Sequence, residues 1–309
     1  MERQLPTSDE IGAYLKDKSN WGRWGKDDDL GTINLITAEK RLAAAKLVKS
    51  GRTVSLSRPW NKEPGIGNPK PALQGMRKMT LGAGGAAGDF IGIDYHGNAT
   101  THIDALCHFW GAAGIYNGRS AEDVLGFDGA TFGAIDRWSG GIVTRGVLLD
   151  IPKLRGEPYV DADNPVHGWD LEDAAKAQGV SVEPGDALVV YMGREAWQAA
   201  NPESPYHANP EETSPGLHGS AVSFLRENDV AVLVWDFLDA RPSGFGDFRV
   251  GLAVHMCIPA FGLALLDNAL LEPLATACAE EGRYEFMLTI APLNVPGGTG
   301  SPANPIALL

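Results

Sequence analysis

The spacing of apolar and polar positions changes several times along the chain, and each change marks an element. Ile11, Tyr14 and Leu15 recur at helical spacing, which predicts a short helix from Ser8 to Lys16 with Ser8 as its cap. Thr37 caps a second helix predicted from Ala38 to Ser50, with Glu39 in its first turn, Leu42, Ala45 and Leu47 as its stripe and Gly51 as its stop. Thr53 to Ser57 alternates like a strand, and Phe90 to Asp104 reads as strand, turn and strand. Gly146 to Ile151, Ala187 to Tyr191 and Val230 to Trp235 are nearly continuous apolar runs, the pattern of strands buried on both faces. A helix from Leu171 to Gln178 separates the first two and gives the middle of the chain a β-α-β rhythm. Further helices are expected from His218 to about Asn228 and from Leu270 to Glu281, before a strand from Tyr284 to Leu293.

Between these elements lie stretches without a period. Residues 61–88 are rich in Gly, Pro, Lys and Arg, and a loop this long in a compact domain serves as a lid, an oligomer contact or a surface excursion. Pro202 to Pro215 is a second Pro-rich loop. The acidic triplet Asp27-Asp28-Asp29 lacks the alternating ligands and terminal Glu of a calcium loop and reads as a solvated turn. Gly297-Gly298-Thr299-Gly300 is no phosphate loop, since no helix follows and no Lys stands in place. No linker divides the 309 residues, so a single domain over 1–309 is expected, with an N-terminal extension of about 1–50.

Charge narrows the partners. A net charge of -13 argues against nucleic acid, whose phosphates are bound by a surplus of Lys and Arg. No apolar run approaches the ~18 residues of a membrane span, and Met-Glu-Arg-Gln-Leu-Pro lacks the apolar core of a signal peptide. Cys107, Cys257 and Cys278 are odd in number and have no metal-type spacing, which reads as reduced thiols in a cytoplasmic protein. Cys107 is expected to pack.

The chemistry concentrates in His96-Gly97-Asn98-Ala99-Thr100-Thr101-His102-Ile103-Asp104-Ala105-Leu106-Cys107-His108, three imidazoles and a carboxylate within thirteen residues. Were this run extended as far as Asp104, His96, Asn98, His102 and Asp104 would share one face of a strand and could hold a divalent cation. His108 would then fall on the following turn, placed to move protons. Phe109 and Trp110 follow at once and offer an apolar wall for a flat or cyclic substrate. Arg194, at the end of a strand, is placed at the rim, and His218 is expected to hydrogen-bond a loop.

Thr101-His102-Ile103-Asp104-Ala105-Leu106-Cys107-His108 resembles the second half of the motif His-x-Gly-Thr-His-x-Asp-x-Pro-x-His of the cyclase-like metal-dependent hydrolases, the family of bacterial kynurenine formamidase, isatin hydrolase and trans-dienelactone hydrolase. The resemblance implies that His102 and Asp104 bind zinc or manganese and that His108 is the catalytic acid/base. Asn98 stands at the family's first His, with His96 two residues earlier, so either supplies the next ligand; Thr100 replaces the Gly and Leu106 the Pro. In the family a further His, followed twelve residues later by Glu, completes the metal site; His255 and Asp267 stand at the same interval, where Asp shortens the arm by one methylene and favours a single metal. Trp21 and Trp24 fall where tryptophans line the substrate entrance of longer members.

The resemblance further implies an α/β swivelling β/β/α fold with a mixed, barrel-like β core flanked by helices, assembled as a homodimer or homotetramer. It implies a metal-dependent hydrolase that opens an amide, lactone or ester bond in a small cyclic or aromatic molecule through a metal-activated water. The alternative is a metal-poor cyclase, dehydratase or small-molecule binder of the same fold.

Overall fold

The computed structural model describes residues 3–203, 206, 212–247 and 251–309. Its strands are β1 (Thr53–Ser55), β2 (Leu73–Leu81), β3 (Gly84–Gly92), β4 (His102–Asp104), β5 (Leu125–Gly126), β6 (Gly129–Ala130), β7 (Ile142–Asp150), β8 (Ala187–Tyr191), β9 (Val232–Trp235), β10 (Ala264–Asp267), β11 (Glu285–Ile290), β12 (Gly300–Pro302) and β13 (Ile306–Leu308). Its α-helices are α1 (Ser8–Asp17), α2 (Ala38–Ala45), α3 (Ala121–Val124), α4 (Ile151–Arg155), α5 (Gly168–Gln178), α6 (Arg194–Ala200), α7 (Val222–Glu227), α8 (Cys257–Phe261) and α9 (Glu272–Glu281).

Among the described residues nine strands form one mixed sheet in the order β1-β13-β11-β7-β8-β9-β10-β4-β12, curled into a half-barrel and flanked by helices. The mixed, barrel-like core expected from the resemblance is therefore present. β7, β8, β9 and β10 run parallel at its centre, where Val147 to Leu149, Ala187 to Val190, Val232 to Trp235 and Ala264 to Leu266 are buried, as apolar runs covered on both faces require. β4 joins antiparallel to β10 on one side and β12 on the other, with Asp267 opposite His102 and Gly300 opposite Asp104. Ile103 points the other way into the core and is fully buried.

Several boundaries move. Thr7, one residue before Ser8, caps α1 and closes a capping box with Glu10. Thr37 does cap α2, but that helix stops at Ala45. The run from His96 to Asp104 is not one strand: only His102–Asp104 is extended, and Gly97 turns at φ 142°. A two-stranded ribbon from Leu73 to Gly92 takes up much of the 61–88 stretch where a loop was expected, because β2 and β3 pair residue for residue around a turn at Gly82. Half of the Pro202 to Pro215 stretch falls outside the described residues. No helix of the described residues is long and apolar enough to cross a membrane.

Candidate metal centre

The ladder sets half of the centre. His102 and Asp104, two apart on β4, share one face, and register places Asp267 of β10 beside them. His102 Nε2 lies 3.4 Å from Asp104 Oδ1 and 4.0 Å from Asp267 Oδ2. All three residues are buried. His255, just before α8, brings its Nε2 to 3.3 Å from Asp267 Oδ2 and 4.0 Å from Asp104 Oδ2.

The other half arrives on loops. His96 Nδ1 reaches 3.0 Å from Asp104 Oδ1, and the His108 ring stacks on the His96 ring at 3.8 Å and 2° with its Nε2 3.8 Å from Asp104 Oδ2. Gly300, opposite Asp104, makes room for this: a Cβ there would stand 3.0 Å from His96 Cε1 and 2.6 Å from the Ile103 carbonyl. Between the two candidates, His96 takes the place beside Asp104. Asn98 lines the cleft, and its carbonyl accepts a hydrogen bond from Arg194. The shared strand face fails as a reason for their position, since the chain from 96 to 101 is a bent loop.

Each of three imidazoles has one nitrogen tied to a protein oxygen. His102 Nδ1 donates to the Thr100 carbonyl at 2.9 Å, and His255 Nδ1 to Asp239 Oδ2 at 2.5 Å. His96 Nε2 shares a 3.0 Å bond with Thr299 Oγ1. For His102 and His255 the partner can only accept, which fixes the tautomer and leaves a bare nitrogen facing the common space, and His96 Nδ1 has no hydrogen-bond partner. The donor atoms of His96, His102 and Asp104 lie within 4.8 Å of one another, as do those of Asp104, His255 and Asp267.

The electrostatics ask for positive charge. Both Asp104 oxygens are buried and accept no hydrogen bond, an arrangement that a protein interior rarely tolerates without a compensating cation. Burial opposes charge on His102, but Asp104 and then Asp267 outweigh it and push the imidazole up to about 9. His255 is likewise held well above its ordinary value: burial opposes the shift, and Asp267 and Asp239 override it. A divalent ion would supply this charge in place of the protons, so the residues present fit a metal. His108 goes the other way. Burial, with His96 and His255 adding repulsion, brings it down to about 4, so it stands neutral at working pH.

A cleft of about 450 Å³ opens over the centre, lined by His96, His102, His108, Phe109, Leu238 and Leu252 among others. Phe109 is thus on its wall. The tryptophans are elsewhere: Trp21 donates to the Pro259 carbonyl along a neighbouring apolar groove, Trp24 lies under the Arg23 guanidinium, and Trp110 is exposed. Arg194 is a buried support for the 97–101 loop, not a rim residue. Its guanidinium bonds the carbonyls of Asn98 and Asp236 and the Asn268 side chain, and Asn268 Nδ2 holds the carbonyls of Gly97 and Thr100. His218 bonds its own loop, accepting from Ser220 N, and Cys107 is buried, as expected.

Sequence reasoning missed Asp239, Thr299 and Asn268. Asp239 had a legible signal, a carboxylate just after the buried strand that ends at Trp235. Nothing local marks Thr299, whose role exists only because β12 pairs with β4.

Fold and centre together define an α/β protein with a His and Asp cluster able to hold a divalent cation at its strand ends. A family model described as "Putative cyclase" matches residues 46–240, and the chain belongs to that family. The crystal structure of a novel cyclase is 30% identical over 94% of this chain and 97% of that one, with a TM-score of 0.80. An isatin hydrolase bound to the product analogue thioisatinate is 18% identical over 88% of this chain and 99% of that one (TM-score 0.55). Isatin hydrolase A from Labrenzia aggregata, bound to benzyl benzoate, is 17% identical over 88% and 98% (TM-score 0.53). These two share the fold. The comparison with curated proteins found no match.

Proposed function

We propose that the chain is a metal-dependent hydrolase that opens an amide, lactone or ester bond in a small cyclic or aromatic molecule. The observation that carries this reading is Asp104, a buried carboxylate without a hydrogen bond, ringed by the bare nitrogens of His96, His102 and His255. His96, His102 and Asp104 would hold the ion, with His255 and Asp267 completing the set. Mixed imidazole and carboxylate donors suit zinc or manganese. A bound divalent ion supplies a lowered pKa to water and polarises a carbonyl.

The remaining work falls to the chain's own groups. Neutral His108 faces the cleft and accepts a proton from water there, then returns it to the leaving nitrogen or oxygen. Asp239 keeps the His255 proton on Nδ1, and Thr100 does the same for His102. Phe109, Leu238 and Leu252 give the wall an apolar face that would lie against a flat ring and exclude water. Because two proteins of the same fold are named isatin hydrolases, cyclic amides rank first among substrates to screen.

The test is a hydrolysis screen over cyclic amides and imides, lactones, formamides and carbamates, run with the wild type and His108→Ala alongside metal analysis. His108→Ala is expected to keep its metal and lose turnover by about 100-fold or more. Unchanged turnover removes His108 from the mechanism. Wild-type protein purified without chelator and found free of metal favours the metal-poor cyclase, dehydratase or binder instead.

A further inference from the structure

Asn98 lines the cleft over the centre, yet it belongs to neither of the donor groups there. The other polar side chains of that cleft are committed. His96, His102, His255 and Asp267 are candidate ligands, and His108 is the group placed to move protons. Arg241 has an interaction of its own. One carboxamide remains.

That carboxamide is unengaged. Asn98 is half-buried, and among the described residues its one hydrogen bond is made by its backbone carbonyl, which accepts from Arg194. Every other described asparagine that is buried or half-buried donates its amide to a protein oxygen, as Asn20, Asn68, Asn117 and Asn268 do. The described asparagines whose side chains also lack a bond, Asn164 and Asn294, are exposed. Nor does the loop need the Asn98 side chain to hold its shape. Asn268 Nδ2 donates to the carbonyls of Gly97 at 2.6 Å and Thr100 at 3.2 Å, and the buried Arg194 holds the carbonyl between them. Asn98 thus stands on a fixed backbone with both groups of its amide open, the arrangement of a side chain kept for a ligand.

We propose that Asn98 reads the edge of the substrate's ring. A carboxamide offers a carbonyl acceptor beside an N–H donor. Its complement is a ring amide, in which closure of the ring holds N–H and C=O side by side. Asn98 Oδ1 accepts the ring N–H, and Nδ2 donates to the adjacent ring carbonyl, while Phe109, Leu238 and Leu252 of the same cleft meet the face of the ring. The class selected is cyclic amides and imides with a free N–H. A lactone or an N-alkylated ring would leave Oδ1 against a group that cannot donate, and a polar atom left unpaired where the ring excludes water weakens binding. The role rests on the hydrolase reading, which makes this cleft the substrate site, and narrows that reading to one substrate class.

Phthalimide, N-methylphthalimide and the lactone phthalide share one fused-ring skeleton and serve as probes. Binding is measured by titration calorimetry in the His108→Ala protein, where turnover does not consume them, and kcat/KM in the wild type. Phthalimide is expected to bind about 10- to 100-fold more tightly than either analogue. Adding Asn98→Leu, which fills similar space without hydrogen-bonding groups, is expected to bring that ratio to about one, with metal content and the circular dichroism spectrum unchanged. Asn98→Ala is expected to do the same. A merely structural Asn98 would weaken all three probes alike and leave the ratio standing, and that result overturns the proposal. So does a cleft with Asn98 intact that binds the three equally or does not bind phthalimide. Loss of metal in Asn98→Leu overturns it too, by making the residue a ligand. The hydrolase reading fails separately: a preserved binding ratio with no turnover in the wild type keeps Asn98 as the reader of the ring and removes the hydrolysis, whereas equal turnover of phthalimide and phthalide does the reverse.

Discussion

The two halves of the centre are built differently. His102, Asp104 and Asp267 stand on paired strands and are at most 2% exposed, whereas the side chains of His96 and His108 come from loops and are 25% exposed. Strand register fixes the first set, since a one-residue slip would turn every side chain to the other face. The second set depends on single contacts from distant segments: Thr299 on His96, Arg194 and Asn268 under the loop, and the missing side chain of Gly300. The strand half therefore offers fixed donors that could hold a cation, and the loop half carries His108, which faces the cleft.

The largest effect should come from the strand half. Asp104→Ala removes the carboxylate shared by both donor groups and is expected to lower metal affinity by more than about 100-fold in competition with a chelator. In the same protein the thermal gain on adding metal should vanish. The wild type should gain about 2.7 kcal/mol at a hundredfold excess over Kd. An Asp104→Ala chain that still binds tightly would put the anchor in the loop half.

Next comes the support behind His255. Asp239→Ala frees the imidazole to rotate or to change tautomer and is expected to cost about 10- to 100-fold in metal affinity or turnover. On the loop side, Gly300→Ala is expected to lower turnover by about tenfold by displacing His96, while the Asp104 and Asp267 ligands keep most of the metal. Metal content that falls as far as in Asp104→Ala would erase the distinction between the halves. Thr299→Val should be mildest, a few-fold loss from one hydrogen bond at a partly exposed ring. A loss larger than that of Gly300→Ala would mean that the bond, and not the space, seats His96.

The buried parallel strands were legible because a strand covered on both faces needs apolar residues at every position, and Ala187 to Tyr191 says so without context. The ribbon was not. Glycines and Arg77 interrupt its alternation, and an arm with no core behind it shows no strong apolar period. Within the centre, His102 and Asp104 were visible as a pair two residues apart, and the twelve-residue interval from His255 to Asp267 was visible through the family. Whether His96 or Asn98 joined them was not, since that turns on φ at Gly97 and on the small residue at Gly300.

The amino-acid order alone determined the ligand types, the buried strands and the acidic balance, because these depend on a residue's own chemistry or on neighbours a few positions away. Tertiary structure decided which nitrogen of His102 and His255 is bare, that neither oxygen of Asp104 has a hydrogen-bond donor, and which segments flank β4. Those outcomes need backbone contacts between residues more than a hundred positions apart, and no local spacing records them.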